Sequence, residues 1–427
     1  MLELWFDFSC PYAYLASRRA PKLDTEKRLS IDWRPMLLGG LFRGLGIGDG
    51  PMATLTPAKA AHNLRDMHRW ADLFGEPFRM PAGHPMRTVR ALRVLLALPR
   101  DRWPAAIEAI FAAYWQRGED ITQDDVIAGA LRGAGLAADD VATALRRAGD
   151  PDIKEELHRR TDEALALGIF GAPAWIFRRE GAAPILVWGQ DRMAWIDAIL
   201  EGWDPDAGPP PGGPRTLRVP AAAPGAEVTV YFDVSSPFAY LALTQLPALA
   251  ASGAAVRLVP ILLGALFRDI GQANVPLLAW APAKTRYITR ELARWGRWWG
   301  EPFDMPRKFP QRTITAQRLA LLAADEGTDA GIGLARALGR AMWAEQRDLE
   351  DPATLRAILA AAGCPEGWLE RTQDPAIKAR LAANTAAAQE AGVFGVPTWI
   401  VNGEHLFWGQ DRLELVGRAL ADPAWAP

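Results

Sequence analysis

The chain is 427 residues long, 50% hydrophobic and 23% charged, with a formal net charge of −2 at pH 7. A single core seldom grows to that length, so two domains are expected, and the near-neutral balance argues against nucleic acid or an anionic membrane surface as the main partner. Two cysteines make no disulfide framework, five histidines show no paired ligand spacing for a metal, and no apolar run reaches the roughly 18 residues of a spanning helix.

A first strand is predicted over residues 2–8. The opening Met1-Leu2-Glu3-Leu4-Trp5 lacks the basic start and cleavage site of a secretory leader, so a reducing cytoplasm is the expected location. The strand ends at Ser9-Cys10-Pro11, where proline suits the first helical position, and a helix is predicted over 11–27. A second strand over 30–37 follows, after a crossover long enough for a parallel, right-handed connection. Helical periodicity then predominates, in segments 57–74, 86–98, 103–116, 124–134, 139–147 and 152–167. Strands at 173–178 and 185–188 and a helix from 191 close the pattern. Residues 203–226, containing Gly208-Pro209-Pro210-Pro211-Gly212-Gly213-Pro214, read as a semi-extended linker.

The same order then begins again, with strands predicted at 228–234 and 255–262 around a helix at 237–251, and strands at 398–401 and 406–408 before a helix at 411–420. Four blocks return at a nearly constant offset. Phe6-Asp7-Phe8-Ser9-Cys10-Pro11 becomes Phe232-Asp233-Val234-Ser235-Ser236-Pro237, and Gly75-Glu76-Pro77-Phe78 becomes Gly300-Glu301-Pro302-Phe303. Phe170-Gly171-Ala172-Pro173 becomes Phe394-Gly395-Val396-Pro397, and Trp188-Gly189-Gln190-Asp191-Arg192 becomes Trp408-Gly409-Gln410-Asp411-Arg412. This is one domain written twice, residues 1–202 and 227–427 around the linker 203–226. The fold class expected is α/β, two tandem thioredoxin-fold domains, each with an inserted all-helical subdomain. The copies are expected to form a pseudo-dimer within one chain.

The residue before Pro11 and Pro237 stands at a helix N-terminus, where unpaired N–H groups and the helix dipole favour negative charge. Cys10 is therefore expected to be more acidic than an ordinary thiol. Neither Cys10-Pro11-Tyr12-Ala13 nor Ser236-Pro237-Phe238-Ala239 holds the Cys-x-x-Cys of a dithiol oxidoreductase. Ser236 has no histidine near it in sequence to make it a nucleophile, so its chemical use is to donate a hydrogen bond to a thiolate supplied from elsewhere; a plain helix cap is the alternative. Pro173 and Pro397 open strands, a place where proline also serves an edge strand. Asp191 and Asp411 can cap the last helix of each copy. Lys59 and Lys284, each in Pro-Ala-Lys, are either solvated or positioned to hold a carboxylate.

Four motifs stand out in combination: Phe-Asp-x-Ser-Ser-Pro-Phe-x-Tyr-Leu-Ala at 232–242, Pro-Ala-Lys-x-x-Tyr at 282–287, Gly-Val-Pro-Thr at 395–398 and Phe-Trp-Gly-Gln-Asp-Arg-Leu at 407–413. With them both copies resemble the DsbA-like branch of the thioredoxin fold, and within it the glutathione-dependent 2-hydroxychromene-2-carboxylate isomerases and kappa-class glutathione transferases. The resemblance implies glutathione as cofactor, a small aromatic substrate, a role in aromatic compound catabolism, and cis peptide bonds before Pro173 and Pro397. It implies that Ala172 and Val396 pair their backbones with the cysteinyl part of glutathione. Gln190-Asp191 and Gln410-Asp411 would hold its γ-glutamyl end, and Asn274 would contact ligand. The counterpart of Asn274 is Asp49, which with Cys10 in place of serine makes copy two the stronger expected site. The implied activity is isomerase. The alternatives are a kappa-type transferase or peroxidase, a glutathione-binding module without turnover, and a monothiol redox protein using Cys10.

Overall fold

Leu2–Phe6 (β1) carries almost nothing polar and is buried along its whole length, as suits a strand covered on both faces. The exception is Glu3, fully buried in this strand. Burial alone would raise its pKa, but hydrogen bonds from Arg178 and Trp5 and the charge of Arg34 hold it below the ordinary value. This is a computed structural model, and it describes residues 1–27, 29–48, 50, 52 and 55–425.

After β1 the first copy continues through α1 (Pro11–Lys27), β2 (Ile31–Pro35), α2 (Leu38–Gly44), α3 (Pro57–Phe74), α4 (Val89–Ala97), α5 (Trp103–Trp115), α6 (Asp124–Gly133), α7 (Ala138–Arg147) and α8 (Pro151–Ala166). It closes with β3 (Ala174–Arg179), β4 (Ala182–Trp188) and α9 (Met193–Leu200). The second copy runs β5 (Glu227–Phe232), α10 (Pro237–Ala250), β6 (Ala255–Pro260), α11 (Leu263–Asp269), α12 (Pro276–Ala279), α13 (Pro282–Trp299), α14 (Ile314–Asp325), α15 (Thr328–Trp343), α16 (Pro352–Ala361), α17 (Trp368–Arg371), α18 (Pro375–Glu390), β7 (Thr398–Val401), β8 (His405–Trp408) and α19 (Leu413–Ala421).

Each copy builds one four-stranded sheet, in the orders β2-β1-β3-β4 and β6-β5-β7-β8. The first pair is parallel and the other two pairs are antiparallel in both sheets. The register repeats as well: Leu4 lies between Trp33 and Trp175, and Val230 between Leu258 and Trp399.

The repeated blocks have visible structural work. Tyr14 donates from its phenol to the Pro77 carbonyl at 2.6 Å, and Tyr240 to that of Pro302 at 2.8 Å. The next residue, Phe78 or Phe303, stacks on Trp115 or Trp343 with rings 11° and 9° from parallel. Those indoles donate at 2.8 Å to the Phe8 and Val234 carbonyls, tying the helical insertion to the turn that follows the first strand.

Two features depart from the sequence reading. The strands predicted to reach residues 8 and 234 stop at Phe6 and Phe232, and the unpredicted helices α2 and α11 begin soon after β2 and β6. The Leu38-Gly39-Gly40 start of α2 has weak helix propensity, but its first N–H donates to Asp7 Oδ2 at 2.7 Å, and that of α11 to Asp233 Oδ2 at 2.9 Å. A buried carboxylate just beyond the end of the neighbouring strand thus supplies the partner that a helix start needs.

The chain divides into two compact units. The first holds Met1–Leu55, Arg65–Asp197 and Ala281–Lys284, and the second Thr56–Leu64, Ala198–Trp280 and Thr285–Pro427. The Pro/Gly-rich segment belongs to the second unit and is docked there. Arg294 grips Asp206 with two 2.8 Å bonds, the Trp203 and Trp298 rings lie 5.3 Å apart, and Ala223 N–H donates to Leu420 O at 2.8 Å. Among the described residues no helix is long and apolar enough to cross a membrane.

Candidate functional site

In the second unit, Ser236 is the N-cap of α10, with φ −95° and ψ 123°, and its Oγ accepts from Ala239 N–H. The same hydroxyl donates to Val396 O at 3.3 Å, and the Val396–Pro397 bond that follows is cis. The cap and the residue before the cis proline, 160 positions apart in sequence, are therefore in direct contact. The next loop is tied to them: Gly409 N–H donates to Pro397 O at 3.0 Å and Trp399 Nε1 to Gly409 O at 2.9 Å. Gly409 has φ +117°, a conformation that side-chain-bearing residues avoid, and the Asp411 carboxylate folds back against it. Asp411 is also paired with Arg412 at 3.1 Å.

Gln410, two residues beyond Trp408, begins a short 3-10 turn that packs on α10. It is 2% exposed, and its Oε1 is buried with no hydrogen-bond partner among the described residues. An orphaned buried acceptor is costly unless a donor reaches it. Asn274 lies in the exposed loop between α11 and α12 with Oδ1 close to Gly264 of α11.

The first unit repeats the geometry with a thiol. Cys10 Sγ donates to Ala172 O at 3.1 Å, Ala172–Pro173 is cis, and Gly189 N–H donates to Pro173 O at 3.1 Å. Gln190 is buried with Nε2 lacking a partner, and Asp191 meets Arg192 at 3.0 Å. The expected acidification of Cys10 is reversed. Burial pushes the thiol up to about 12, and the Asp7 charge adds to this, against bonds from the Ala13 and Tyr12 N–H groups. The helix end is present, but desolvation of the thiolate outweighs it. Asp49, the counterpart of Asn274, lies outside the described residues.

Each lysine packs in the unit that holds the other copy's motifs. Lys59 is part of the second unit, its Nζ 4.8 Å from the centre of the Trp408 ring, and Lys284 is part of the first, 5.9 Å from that of Trp188.

Sequence reasoning also passed over Asp233 and Thr313, and their counterparts Asp7 and Thr88. Asp233 Oδ1 accepts from Ser235 N–H and the Thr313 hydroxyl, while Oδ2 accepts from Leu263 N–H. Asp7 does the same for Ser9, Thr88 and Leu38. Burial raises both carboxyls above the usual range against the pull of these bonds. One side chain thus braces the turn before Ser236, the start of α11 and the segment leading into α14. The repeated Asp in Phe-Asp-x-Ser was the available signal, since a buried strand has little use for a carboxylate without partners.

This chain belongs to the DSBA-like thioredoxin domain family, whose profile matches residues 1–201 and again 227–421. It is two such domains in tandem, each with an inserted helical subdomain. Among curated proteins, the 2-hydroxychromene-2-carboxylate isomerase of Sphingobium xenophagum is 29% identical over 199 residues, spanning 47% of this chain and 97% of that protein. Glutathione S-transferase kappa 1 of Rattus norvegicus is 28% identical over 213 residues, spanning 48% and 92%. A solved 2-hydroxychromene-2-carboxylate isomerase structure has 23% identity and a TM-score of 0.41, covering 47% of this chain and 94% of its own. The relatives are enzymes of this superfamily, each about the length of one repeat.

Proposed function

We propose that the protein is a cytoplasmic, glutathione-dependent isomerase of the 2-hydroxychromene-2-carboxylate type, made of domains 1–202 and 227–427 joined by 203–226, with its stronger site at Ser236. The observation that carries this reading is the placing of a hydroxyl at the start of α10 against the carbonyl that precedes a cis proline. The buried Gln410 side chain, with Oε1 lacking a partner among the described residues, is compatible with a polar ligand at this place.

When bound, glutathione would supply a thiolate able to add reversibly to a conjugated enone and so permit rotation about the former double bond. Ser236 would turn its O–H from Val396 O toward that sulfur, and the positive end of the α10 dipole would favour its negative charge. A hydrogen bond suits this task because the sulfur must be stabilised and yet leave again. Val396 and Pro397 would present backbone to the cysteinyl part. Gln410 Oε1 would accept from the γ-glutamyl ammonium, with the Asp411 carboxylate adding a second anchor for that charge. Asn274 would contact the ligand from its exposed loop. Cys10, Ala172, Pro173, Gln190 and Asp191 would form the corresponding first site, where a thiol that holds its proton is poorly suited to a redox role of its own.

A kappa-type transferase is the second reading, because kappa relatives match at 25–28% beside isomerases at 29–30%. The deciding experiment mixes the protein with glutathione and follows isomerisation of the chromene carboxylate by absorbance. Turnover supports the isomerase. Conjugation of a chlorinated nitroaromatic in its place supports the transferase, and saturable glutathione binding with neither activity supports a binding module.

A further inference from the structure

We infer that each site is equipped by the other sequence copy, Lys59 furnishing the cation of the Ser236 site and Lys284 that of the Cys10 site. The inference deepens the glutathione reading above and rests on it for the ligand, though not for the pairing.

In the second unit the first turns of α3 lie on the aromatic residues that flank the site motifs. His62 is buried, its ring edge-on to Phe394 at 5.4 Å and to Trp408 at 6.3 Å. Phe394 stands two residues before Val396, and Trp408 two before Gln410. Lys59 lies three residues earlier than His62, hence on the same face of α3, and sets its ammonium 4.8 Å from the Trp408 ring centre. Burial lowers its pKa, and its surroundings hold the amine by the ring rather than in open water. The first unit shows the reciprocal arrangement, with Lys284 over Trp188, the residue equivalent to Trp408. One such placement could be accidental packing. Two related ones, each against the tryptophan of Trp-Gly-Gln-Asp-Arg, are a device of the fold.

The Lys59 ammonium, partly desolvated beside an indole face, is well placed to hold an anion. The two anionic groups available in the proposed reaction are a carboxylate of glutathione and the carboxylate of the aromatic substrate. The assignment has a consequence for the repeats: Lys59-Ala60-Ala61-His62, the copy further from the family pattern, serves the site that is nearer to it.

The test uses the full chain in two arms. First, the Trp408 indole N–H resonance, assigned with Trp408→Phe, is compared in Lys59→Met and Lys284→Met. A shift with Lys59→Met supports the pairing, and a shift with Lys284→Met alone overturns it, whether or not glutathione binds. Second, Asp191→Ala is used to weaken the first site, and glutathione is titrated calorimetrically. Adding Lys59→Met should weaken glutathione binding roughly 10- to 100-fold if the cation holds the cofactor. If it holds the substrate, the same factor should appear in KM for the chromene carboxylate with glutathione binding retained. Loss with Lys284→Met and not with Lys59→Met in this background overturns the inference. Absence of glutathione heat in the unsubstituted protein counts against the proposed cofactor instead, and the indole arm then decides the lysine pairing alone.

Discussion

At the scale of single residues, Ser236 and Cys10 occupy one geometry with different outcomes. On the proposed reading Ser236→Ala removes a donor to developing charge, so kcat should fall roughly 10²-fold with glutathione binding less affected; steady-state kinetics on the proposed isomerisation check this, and an unchanged kcat removes the donor role. Cys10 holds its proton up to about 12, against an ordinary 9.0, so its thiolate fraction at pH 8 is about 10⁻⁴. Cys364, less buried than Cys10, should therefore react first with iodoacetamide, as mass spectrometry of timed samples would reveal. The sign for stability follows from the raised folded value. The folded state keeps the Cys10 proton where the unfolded chain loses it, so this stabilisation is full below about pH 9 and is lost as pH rises through about 12. Cys10→Ala should flatten that alkaline loss in denaturant titrations. The proline turns and caps were legible in sequence because they are local. The thiol's acidity was not, because it depends on how deeply Ala172 and its neighbours bury the sulfur.

At the scale of elements, the copies differ in how the turn before the key residue is secured. Gln317 of α14 is fully buried; its Nε2 donates to Phe232 O and Ile261 O, and its Oε1 accepts from Val234 N–H. The residue four positions after the equivalent threonine in copy one is Leu92. Gln317→Leu therefore tests whether the polar stitch matters: it leaves the Val234 N–H buried without this partner and should cost about 1–3 kcal/mol in chemical denaturation. A change below about 0.5 kcal/mol would show that the backbone finds other partners. Strand order was legible because β1 and β5 are short apolar runs followed by helix starts. The helices α2 and α11 were not, because their start is stabilised by Asp7 and Asp233 across the chain rather than by their own glycine-containing sequence.

At the scale of the whole molecule, neither compact unit is a simple half of the sequence. The segment 203–226 contributes Asp206 to Arg294, whose side chain is 1% exposed, and Trp203 to Trp298. A fragment of residues 227–427 should accordingly be less stable than one of 198–427, by up to about 3–5 kcal/mol, since it leaves a buried guanidinium without this carboxylate. Paired urea melts of the two fragments measure the difference, and equal midpoints would show that the segment is only a tether.

One domain written twice is legible in the residues alone, with the same order of strands along the chain, the same helix starts at Pro11 and Pro237, and the same proline turns at 173 and 397. These follow from local patterns, in which apolar periodicity, proline and capping residues act over a few positions and repeat visibly. Three features arise from long-range contacts. These contacts bury Cys10 so that desolvation exceeds the helix-end attraction. They turn Asp233 into the brace of three distant segments. They also carry Lys59 and Lys284 each to the tryptophan of the other copy's motif. Each depends on which groups meet after the chain has closed, and long-range contact leaves no periodic trace in the sequence that produces it.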